Sequence, residues 1–226
     1  MEQLKFKCLQ CGACCKNISG KLTSSRGLPL FEWEVNKIKI LAKRYKLNIK
    51  IKPIDIVLDK KSNSYFCTGY LLANEPCAFL KNNKCLIHKN RPIICRAFPI
   101  AKNPLFLNNI PNLSCFSKCP KFNFNNFLSN SLNLKEGKSY EISKKEIIKK
   151  YKKVFDKETM AASFARDNIF RDFNNLMYNL SKDNLIDLKV IKKEKKIIPI
   201  PFLQFLVKRE FISKKDKIKI IKGYLK

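Results

Sequence analysis

With 226 residues, 45% of them hydrophobic and 17 of them phenylalanine, the chain is long enough to bury a core, which excludes an intrinsically disordered protein. Its 47 basic and 18 acidic residues give a net charge of +29, but the basic residues are spread over both halves of the chain. Charge therefore leaves nucleic acid open as a partner without indicating a dedicated surface for it.

No stretch of the sequence resembles a signal peptide or a membrane span. Residues 1–7 run directly into the first cysteine, and the apolar run 197–207 is short and interrupted by Pro199 and Pro201. We therefore expect a cytoplasmic protein, in which ten cysteines indicate metal binding or redox chemistry rather than a disulfide framework. Disulfides stay open as an alternative, because intracellular proteins of hyperthermophiles can contain them.

The first element in chain order is a thiol-rich loop, residues 8–15, with the sequence C-L-Q-C-G-A-C-C. Its C-x2-C-x2-C spacing is that of loops that bind three irons of a [4Fe–4S] cluster, and its C-x2-C half is equally the spacing of a zinc knuckle. Gly12 permits the positive φ of a loop that curls its backbone N–H groups toward bound thiolates. Because neighbouring side chains tend to diverge, Cys14 and Cys15 are not expected to share one tetrahedral ion, and one of them is expected to face a second site or the core.

A helix and two strands follow this loop. Apolar residues at steps of three and four over residues 31–47 predict an amphipathic helix, which we expect to cover the metal-bearing loops on one side. Alternation over 49–56 and an apolar run over 65–72 predict a pair of strands, with Pro53 indicating an edge or a bulge. Cys67 lies in the second strand and is interpreted as a small buried hydrophobic residue rather than a ligand.

A second cysteine-rich stretch occupies residues 77–119. Two asparagines after its first cysteine predict a turn that folds its first two cysteines together. Its last cysteine is followed by proline, a common end of a ferredoxin-type series, and is preferred to Cys115 as the final ligand. The spacing does not tell whether the ligands form one site or two. The predicted metal ligands are Cys8, Cys11, Cys14, Cys15, Cys77, Cys85, Cys95 and Cys119.

The two cysteine-rich signatures together resemble the YkgJ-type cysteine-cluster family of zinc- or iron-chelating domains. The motifs are C-x2-C-G-x-C-C at 8–15 and C-x-F-L…C-x-I-x3-R-P-x2-C-R-x-F-P at 77–99, and the resemblance covers about residues 8–120. It implies a bound metal or iron–sulfur cluster in a small intracellular domain, without a settled reaction. The family includes the domain of the flagellin lysine N-methylase FliB, so that an enzymatic role stays open. His88 stands where tyrosine is frequent in the family, which leaves its role as a ligand undecided.

Two arginines next to the later cysteines, Arg91 and Arg96, are predicted to bind the cofactor. Four thiolates around Zn²⁺ or a [4Fe–4S]²⁺ cluster carry a net charge of −2, which guanidinium groups can offset by donating to sulfur. For Arg91 an ordinary salt bridge is the alternative. Between Cys67 and Cys119 the only carboxylate is that of Glu75, which disfavours a hard-metal site or paired acid–base catalysis.

The rest of the chain is predicted to be helical, over 141–157, 159–181, 202–212 and 214–225. No motif for binding phosphate, nucleotide or S-adenosylmethionine is present. The predicted fold class is α+β: a small, irregular, metal-stapled domain over residues 1–120, with a short β-hairpin and a covering helix, followed by a mainly helical region over 121–226 for packing or partner docking.

Three functional hypotheses follow. The favoured one is an iron–sulfur protein, with a [4Fe–4S] cluster and an electron-transfer or redox-linked role toward an unidentified protein or redox partner. The first alternative is a zinc-stapled module that binds nucleic acid or an acidic partner. The second alternative is a FliB-like component of protein-lysine N-methylation, which rests on the family resemblance alone.

Overall fold

The computed structural model describes residues 8, 10–16, 27–98, 155–187 and 198–225, and all structural statements concern these residues. The fold is α+β, as predicted. The helices are α1 (Ala13–Lys16), α2 (Glu32–Arg44), α3 (Ile93–Ala97), α4 (Lys157–Lys182), α5 (Phe202–Lys208) and α6 (Lys214–Leu225), with a 3₁₀ turn at His88–Asn90. The strands are β1 (Leu28–Leu30), β2 (Ile51–Asp59), β3 (Ser64–Leu72), β4 (Leu80–Lys81), β5 (Lys84–Cys85), β6 (Ile186–Asp187) and β7 (Ile200–Pro201).

Contacts divide the chain into two compact units that interleave in sequence. The first unit contains the described residues before Gly27 and the segment Glu75–Asp167, and the second contains Gly27–Asn74 and the described residues from Asn168 onward. All described cysteines except Cys67 therefore belong to the first unit. The predicted boundary between 120 and 121 lies outside the described residues and stays a prediction. In the described ranges, none of the helices combines the length and the apolar character needed to cross a bilayer.

The second unit is built on a sheet with the strand order β1-β3-β2-β6, and β7 pairs with β3 in parallel. Strands β2 and β3 form the predicted hairpin, in which Ile51 lies opposite Leu72 and Asp59 opposite Ser64. Strand β2 continues through Pro53. On the side of β2 that faces away from β3, strand β6 pairs only with Leu58 and Asp59, the last two residues of β2. Pro53 therefore occupies a locally unpaired edge, where the missing N–H of proline costs no ladder hydrogen bond.

Helix α2 is shorter than the predicted span 31–47. At its start the backbone N–H of Phe31 donates to Oε2 of the buried Glu34 at 3.0 Å, and after its end Lys46 has a φ of 54° that reverses the chain. Glu32 accepts the backbone N–H of Leu203 at 2.7 Å and the Lys217 ammonium at 3.2 Å. These contacts pack the helix within the second unit, and its predicted role as a cover over the cysteine loops stays a prediction.

The later helices follow the predicted spans, with two corrections at their ends. The predicted helix over 141–157 lies mostly outside the described residues. The prediction is wrong at Asp156, which lies just before the first residue of α4. Asp156 caps α4 by accepting the backbone N–H of Thr159 at 2.7 Å. The predicted helix over 202–212 ends at Lys208, because Glu210 has a φ of 58°. Residues Ser213 and Asp216 then form a capping box that begins α6, each accepting the backbone N–H of the other.

Candidate metal centre

The thiol-rich loop, residues 8–16, is curled as its sequence predicts. Gln10 and Gly12 have φ values of 55° and 72°, in the left-handed region. The backbone N–H of Gln10 donates to the sulfur of Cys8 at 3.5 Å. Backbone N–H groups that donate to sulfur are typical of loops that bind a metal through cysteine, and the role of Cys8 as a ligand stays a prediction.

Gly12 also holds the loop against the small hairpin β4–β5. A Cβ atom at this position would lie 2.6 Å from Cδ1 of Leu80 and 2.8 Å from the backbone oxygen of Asn83. The hairpin itself turns at Asn82 and Asn83, which both have positive φ, and it pairs Leu80 with Cys85. The predicted turn is therefore present. It places Cys85 on strand β5, which directly follows Asn83, the turn residue whose backbone oxygen lies against Gly12.

Gly12→Ala is expected to destabilise the first unit by about 1–3 kcal/mol, because the new methyl group meets backbone atoms at a residue in the left-handed region. Gly69→Ala is the matched control, since its Cβ would meet Ile54 and Leu30 only at 3.5 Å. Denaturation of the metal-free variants with urea measures both effects. Equal stability of the two variants would contradict the packing described for Gly12.

Cys14 and Cys15 lie side by side in helix α1, and their sulfur atoms are 3.9 Å apart. The expectation that these neighbouring side chains diverge is wrong, because both residues lie in one helical turn that brings the two sulfur atoms into contact. Cys15 also accepts the backbone N–H of Cys77 at its carbonyl oxygen, at 3.0 Å, and the side chain of Cys77 raises the pKa of Cys15. The structure thus brings the two cysteine-rich stretches of the sequence together at this point.

The thiols of Cys14 and Cys15 strongly affect each other's pKa. The hydrogen bond with Cys15, followed by burial and by the charge of Cys15, raises the pKa of Cys14. The hydrogen bond with Cys14 lowers the pKa of Cys15, but the hydrogen bond with Cys77, burial and the charges of Cys77 and Cys85 outweigh it and raise the value to about 12. Without a cation nearby, the pair is therefore protonated at neutral pH.

Cys85 and Cys95 extend this group of thiols. Burial is the main cause that raises the pKa of Cys85, the backbone N–H of Ile87 opposes it, and the charges of Cys14 and Cys8 raise it further. Burial also raises the pKa of Cys95 well above its ordinary value, and the charges of Cys14, Cys15 and Cys85 act in the same direction. Since each thiolate disfavours the others, this cluster needs a positive charge in order to ionise.

Arg91 supplies part of that charge. Its guanidinium lowers the pKa of Cys14, Cys85 and Cys95 against the causes that raise them. It is oriented by a hydrogen bond from its Nε to the backbone oxygen of His88 at 2.8 Å and by an ion pair with Glu158 at 3.9 Å. The predicted salt-bridge alternative is thus present, and binding of a cofactor by Arg91 stays a prediction. Glu158 was missed because nothing in the sequence links helix α4 to Arg91.

Two further polar atoms in this unit are buried. Nε of Arg96 and Nε2 of His88 have no hydrogen-bond partner among the residues that the structure describes. Arg96 is adjacent to Cys95 on helix α3, where a guanidinium can donate to a bound thiolate. Burial and the charge of Arg91 lower the pKa of His88, so that its imidazole is neutral at pH 7.

The structure gives less information on the remaining cysteines. Cys11 is exposed. Cys67 is buried in strand β3 of the second unit, which confirms its interpretation as a core residue. Cys115 and Cys119 lie outside the described residues, and the assignment of Cys119 as a ligand stays a prediction. None of the eight described cysteines forms a disulfide.

The residues of this group fit a soft metal. Within the described ranges, no three cysteine, histidine or carboxylate side chains stand in finished metal-ligating geometry. The group nonetheless consists of thiols, whose pKa values are raised by hydrogen bonds and burial first and by the charges of neighbouring thiols in addition. A dication would remove that repulsion, and thiolates select zinc, iron or an iron–sulfur cluster over magnesium or calcium.

Comparison with known proteins identifies one family. The model of the CxxCxxCC family, described as a putative zinc- or iron-chelating domain, matches residues 7–120, which is half of the chain. The matched segment contains all of the cysteines that approach one another in the first unit. No curated protein and no solved structure matches the sequence.

Proposed function

The chain belongs to the CxxCxxCC family of zinc- or iron-chelating domains, and on that premise we propose that its first unit binds a single zinc or iron ion through cysteine thiolates. The observation that carries the proposal is the cluster of interacting thiols from residues 14–15 and 77–95, which are brought together from two distant parts of the sequence. Metal binding would join these two parts, so that loading and folding of the unit are coupled.

The contact between Cys14 and Cys15 supports a single ion over a cluster. In a tetrahedral zinc site with metal–sulfur bonds of about 2.3 Å, neighbouring sulfur atoms lie about 3.8 Å apart. The sulfur atoms of Cys14 and Cys15 are 3.9 Å apart. In a [4Fe–4S] cluster each thiolate binds a different iron, and the sulfur atoms of two ligands stand farther apart than that.

A four-thiolate zinc site of this kind is closed to substrate and stabilises structure. This makes the domain a metal-stapled module, and the excess of basic residues in the chain favours nucleic acid or an acidic protein surface as its partner. With iron in place of zinc, the same thiolates would support one-electron chemistry. The cytoplasm, where thiols stay reduced, remains our predicted location.

An iron–sulfur cluster with an electron-transfer or redox-linked role is the second candidate. It is favoured by the C-x2-C-x2-C spacing at residues 8–14 and by the N–H of Gln10 on the sulfur of Cys8, since such hydrogen bonds stabilise cluster thiolates. It requires Cys11, which is exposed, to turn toward the other ligands. Against it stands the short contact between Cys14 and Cys15.

Elemental analysis of protein purified without oxygen distinguishes a single bound zinc or iron ion from an iron–sulfur cluster. We expect roughly one equivalent of zinc or iron per chain, as in a closed four-thiolate site, and no acid-labile sulfide. A brown protein with iron, matching sulfide and absorbance near about 400 nm that bleaches with dithionite would replace the single ion by a cluster. Protein that contains neither metal, and that takes up neither on reconstitution, would overturn the proposal.

Arg91→Met is expected to weaken metal binding by about 10- to 100-fold, which is the usual effect of removing a group that supports metal ligands. The reason is that the charge of Arg91 lowers the pKa of three of the thiols. Competition with a chromogenic chelator measures the affinity. Arg91→Lys keeps the charge and should recover part of the loss, whereas Arg171→Met, at a half-exposed ion pair in the second unit, should have no effect. Equal affinities of Arg91→Met and the unmodified protein would contradict this role.

A further inference from the structure

We infer that a groove in the second unit, called here the basic groove, binds single-stranded nucleic acid, with one base inside it and the phosphates along helix α2. The inference rests on the proposed function only in that it makes the partner named there specific. Every residue of the basic groove belongs to the second unit, so that binding of nucleic acid and binding of metal can be measured separately.

The basic groove is lined by residues of helix α2, of strands β3 and β7 and of the start of β2, and it has a volume of about 520 Å³. Its apolar lining residues are Val35, Ile49, Ile51 and Pro201. Tyr70 on strand β3 adds an aromatic ring. Pockets of this size and character hold small organic groups, and a nucleobase offers flat faces to such walls.

The charge of the basic groove is positive. Its lining contains one carboxylate, that of Glu32, and one ammonium, that of Lys39. The carboxylate of Glu32 is already compensated, because it accepts the backbone N–H of Leu203 at 2.7 Å and the ammonium of Lys217 at 3.2 Å. Lys39 is exposed and forms no ion pair within the described ranges. An anion is therefore the ligand that this lining favours.

The positive charge continues along helix α2 beyond the groove. Lys43 stands one turn after Lys39 on the same side of the helix, and Lys46 follows the helix end; all three are exposed. The acidic residues of α2 are confined to its first turn. From Asn36, which lines the groove, to Lys43 the helix rises by about 10 Å. A small anion cannot contact this whole row of lysines, whereas successive phosphates of a nucleic acid strand can.

The shape of the site favours a single strand over a duplex. The amide of Asn36 can both donate to and accept from the edge of a base. Burial raises the pKa of Tyr70, so that its hydroxyl stays protonated and can donate as well. In a duplex the base edges are paired and the base faces are stacked, so that no base can enter a groove. A nucleotide chain carries a charge and a flat group at every residue, whereas an acidic peptide segment carries the charge alone.

Fluorescence anisotropy of a labelled single-stranded oligonucleotide, titrated with the full chain at several salt concentrations, tests the inference. We expect tighter binding to the single strand than to the duplex of the same sequence. Lys39→Gln combined with Lys43→Gln should weaken binding by about tenfold and lower the slope of log K against log salt by about 1.4, or about 0.7 for each lost phosphate contact.

The matched control is Lys61→Gln combined with Lys182→Gln, which removes the same charge from exposed positions of the same unit. Lys61 lies in the turn of the β2–β3 hairpin, at the opposite end of β2 from Ile51. Asn36→Ala separates the groove from the row of lysines. It should weaken single-strand binding severalfold and leave the salt slope unchanged, because it removes no charge. Circular dichroism and the fluorescence of Trp33 report whether each variant is folded.

Equal affinities of the Lys39/Lys43 variant and its control would overturn the inference, and so would equal affinities of the protein for single strand and duplex. Tighter binding to polyglutamate or to vesicles of anionic lipid than to the single strand would also overturn it. Metal content is measured on the same preparations. Metal-loaded protein that binds no nucleic acid would disprove this inference alone, whereas metal-free protein that binds the single strand as expected would disprove the proposed function alone.

Discussion

Each metal ion that binds at neutral pH is expected to release about four protons, because metal binding requires thiolates and the metal-free thiols are protonated. The pKa is raised at Cys14, Cys15, Cys85 and Cys95, for Cys14 by its hydrogen bond with Cys15 and for Cys85 and Cys95 mainly by burial. For Cys15 the hydrogen bond with Cys77 and burial outweigh the lowering by Cys14 and raise the value to about 12. Protons therefore compete with a metal for these four thiols.

The sign of the pH dependence follows from this competition. Since the raised pKa values lie above the pH of the solution, lowering the pH adds protons that must be displaced, and the apparent affinity falls. With four protons released, the association constant changes by about ten-thousandfold for each pH unit. Ordinary cysteines, with a pKa of about 8.5, would release fewer protons as the pH rises from about 7 to about 9. Thiols with raised pKa values should release more protons than ordinary cysteines at the upper end of that range.

Isothermal titration calorimetry in buffers of different ionisation enthalpy measures the number of protons released. Cys11→Ala serves as the control, because this exposed residue should leave the number unchanged. Cys95→Ala should lower the number by one and the affinity with it. A release of two protons or fewer at pH 7, in protein that binds the metal fully, would show that the site does not consist of four protonated thiols.

Phe66→Ala is expected to cost about 3–5 kcal/mol of unfolding free energy, the usual loss when a fully buried aromatic ring is removed from a core. Phe66 is 0% exposed. Its ring stacks on Phe205 with centroids 4.0 Å apart and on Phe202 at 5.6 Å. Strand β3 and helix α5 meet at these three rings, so that the substitution leaves a cavity at the centre of the second unit.

Phe211→Ala is the matched control, since this ring is 39% exposed and lies 6.1 Å from Phe205. The loss of unfolding free energy for Phe211→Ala should be well below that for Phe66→Ala. The single tryptophan, Trp33, packs against the same core, and its fluorescence during urea denaturation reports the unfolding of this unit. Metal content of the folded variants should be unchanged, because the described cysteines that are predicted as ligands lie in the first unit. Equal losses of unfolding free energy for the two substitutions would show that Phe66 does not lie at the centre of the core.

Local patterns were enough to predict the long hairpin, helix α2 and the later helices, but not the short strands β1, β6 and β7. The hairpin follows from alternation over residues 49–56 and an apolar run over 65–72, and the curl at Gly12 and the turn at Asn82-Asn83 follow from residues that tolerate positive φ. The ends of helices were less predictable. Asp156 caps α4 with its own side chain, and a cap depends on which of several polar residues reaches a free N–H group.

The composition of the metal site could be predicted only in part. Cysteine spacing alone indicated thiolate chemistry, a family, and Arg91 as a supporting charge, because these depend on residue type and on short distances along the chain. Cys11 has ferredoxin-type spacing and is exposed in this structure, so its role as a ligand stays a prediction. Spacing failed for Cys14 and Cys15, which were expected to diverge and are in contact.

By itself, then, the sequence determined that the chain belongs to a family of zinc- or iron-chelating domains and that the fold is α+β. Tertiary structure alone decided which thiols become neighbours and that the hairpin and helix α2 belong to a different unit from all described cysteines except Cys67. The physical reason is the distance along the sequence over which each signal acts. Spacing and periodicity involve only residues that are a few positions apart. The approach of Cys85 and Cys95 to Cys14 instead depends on Gly12 packing against a hairpin far along the chain.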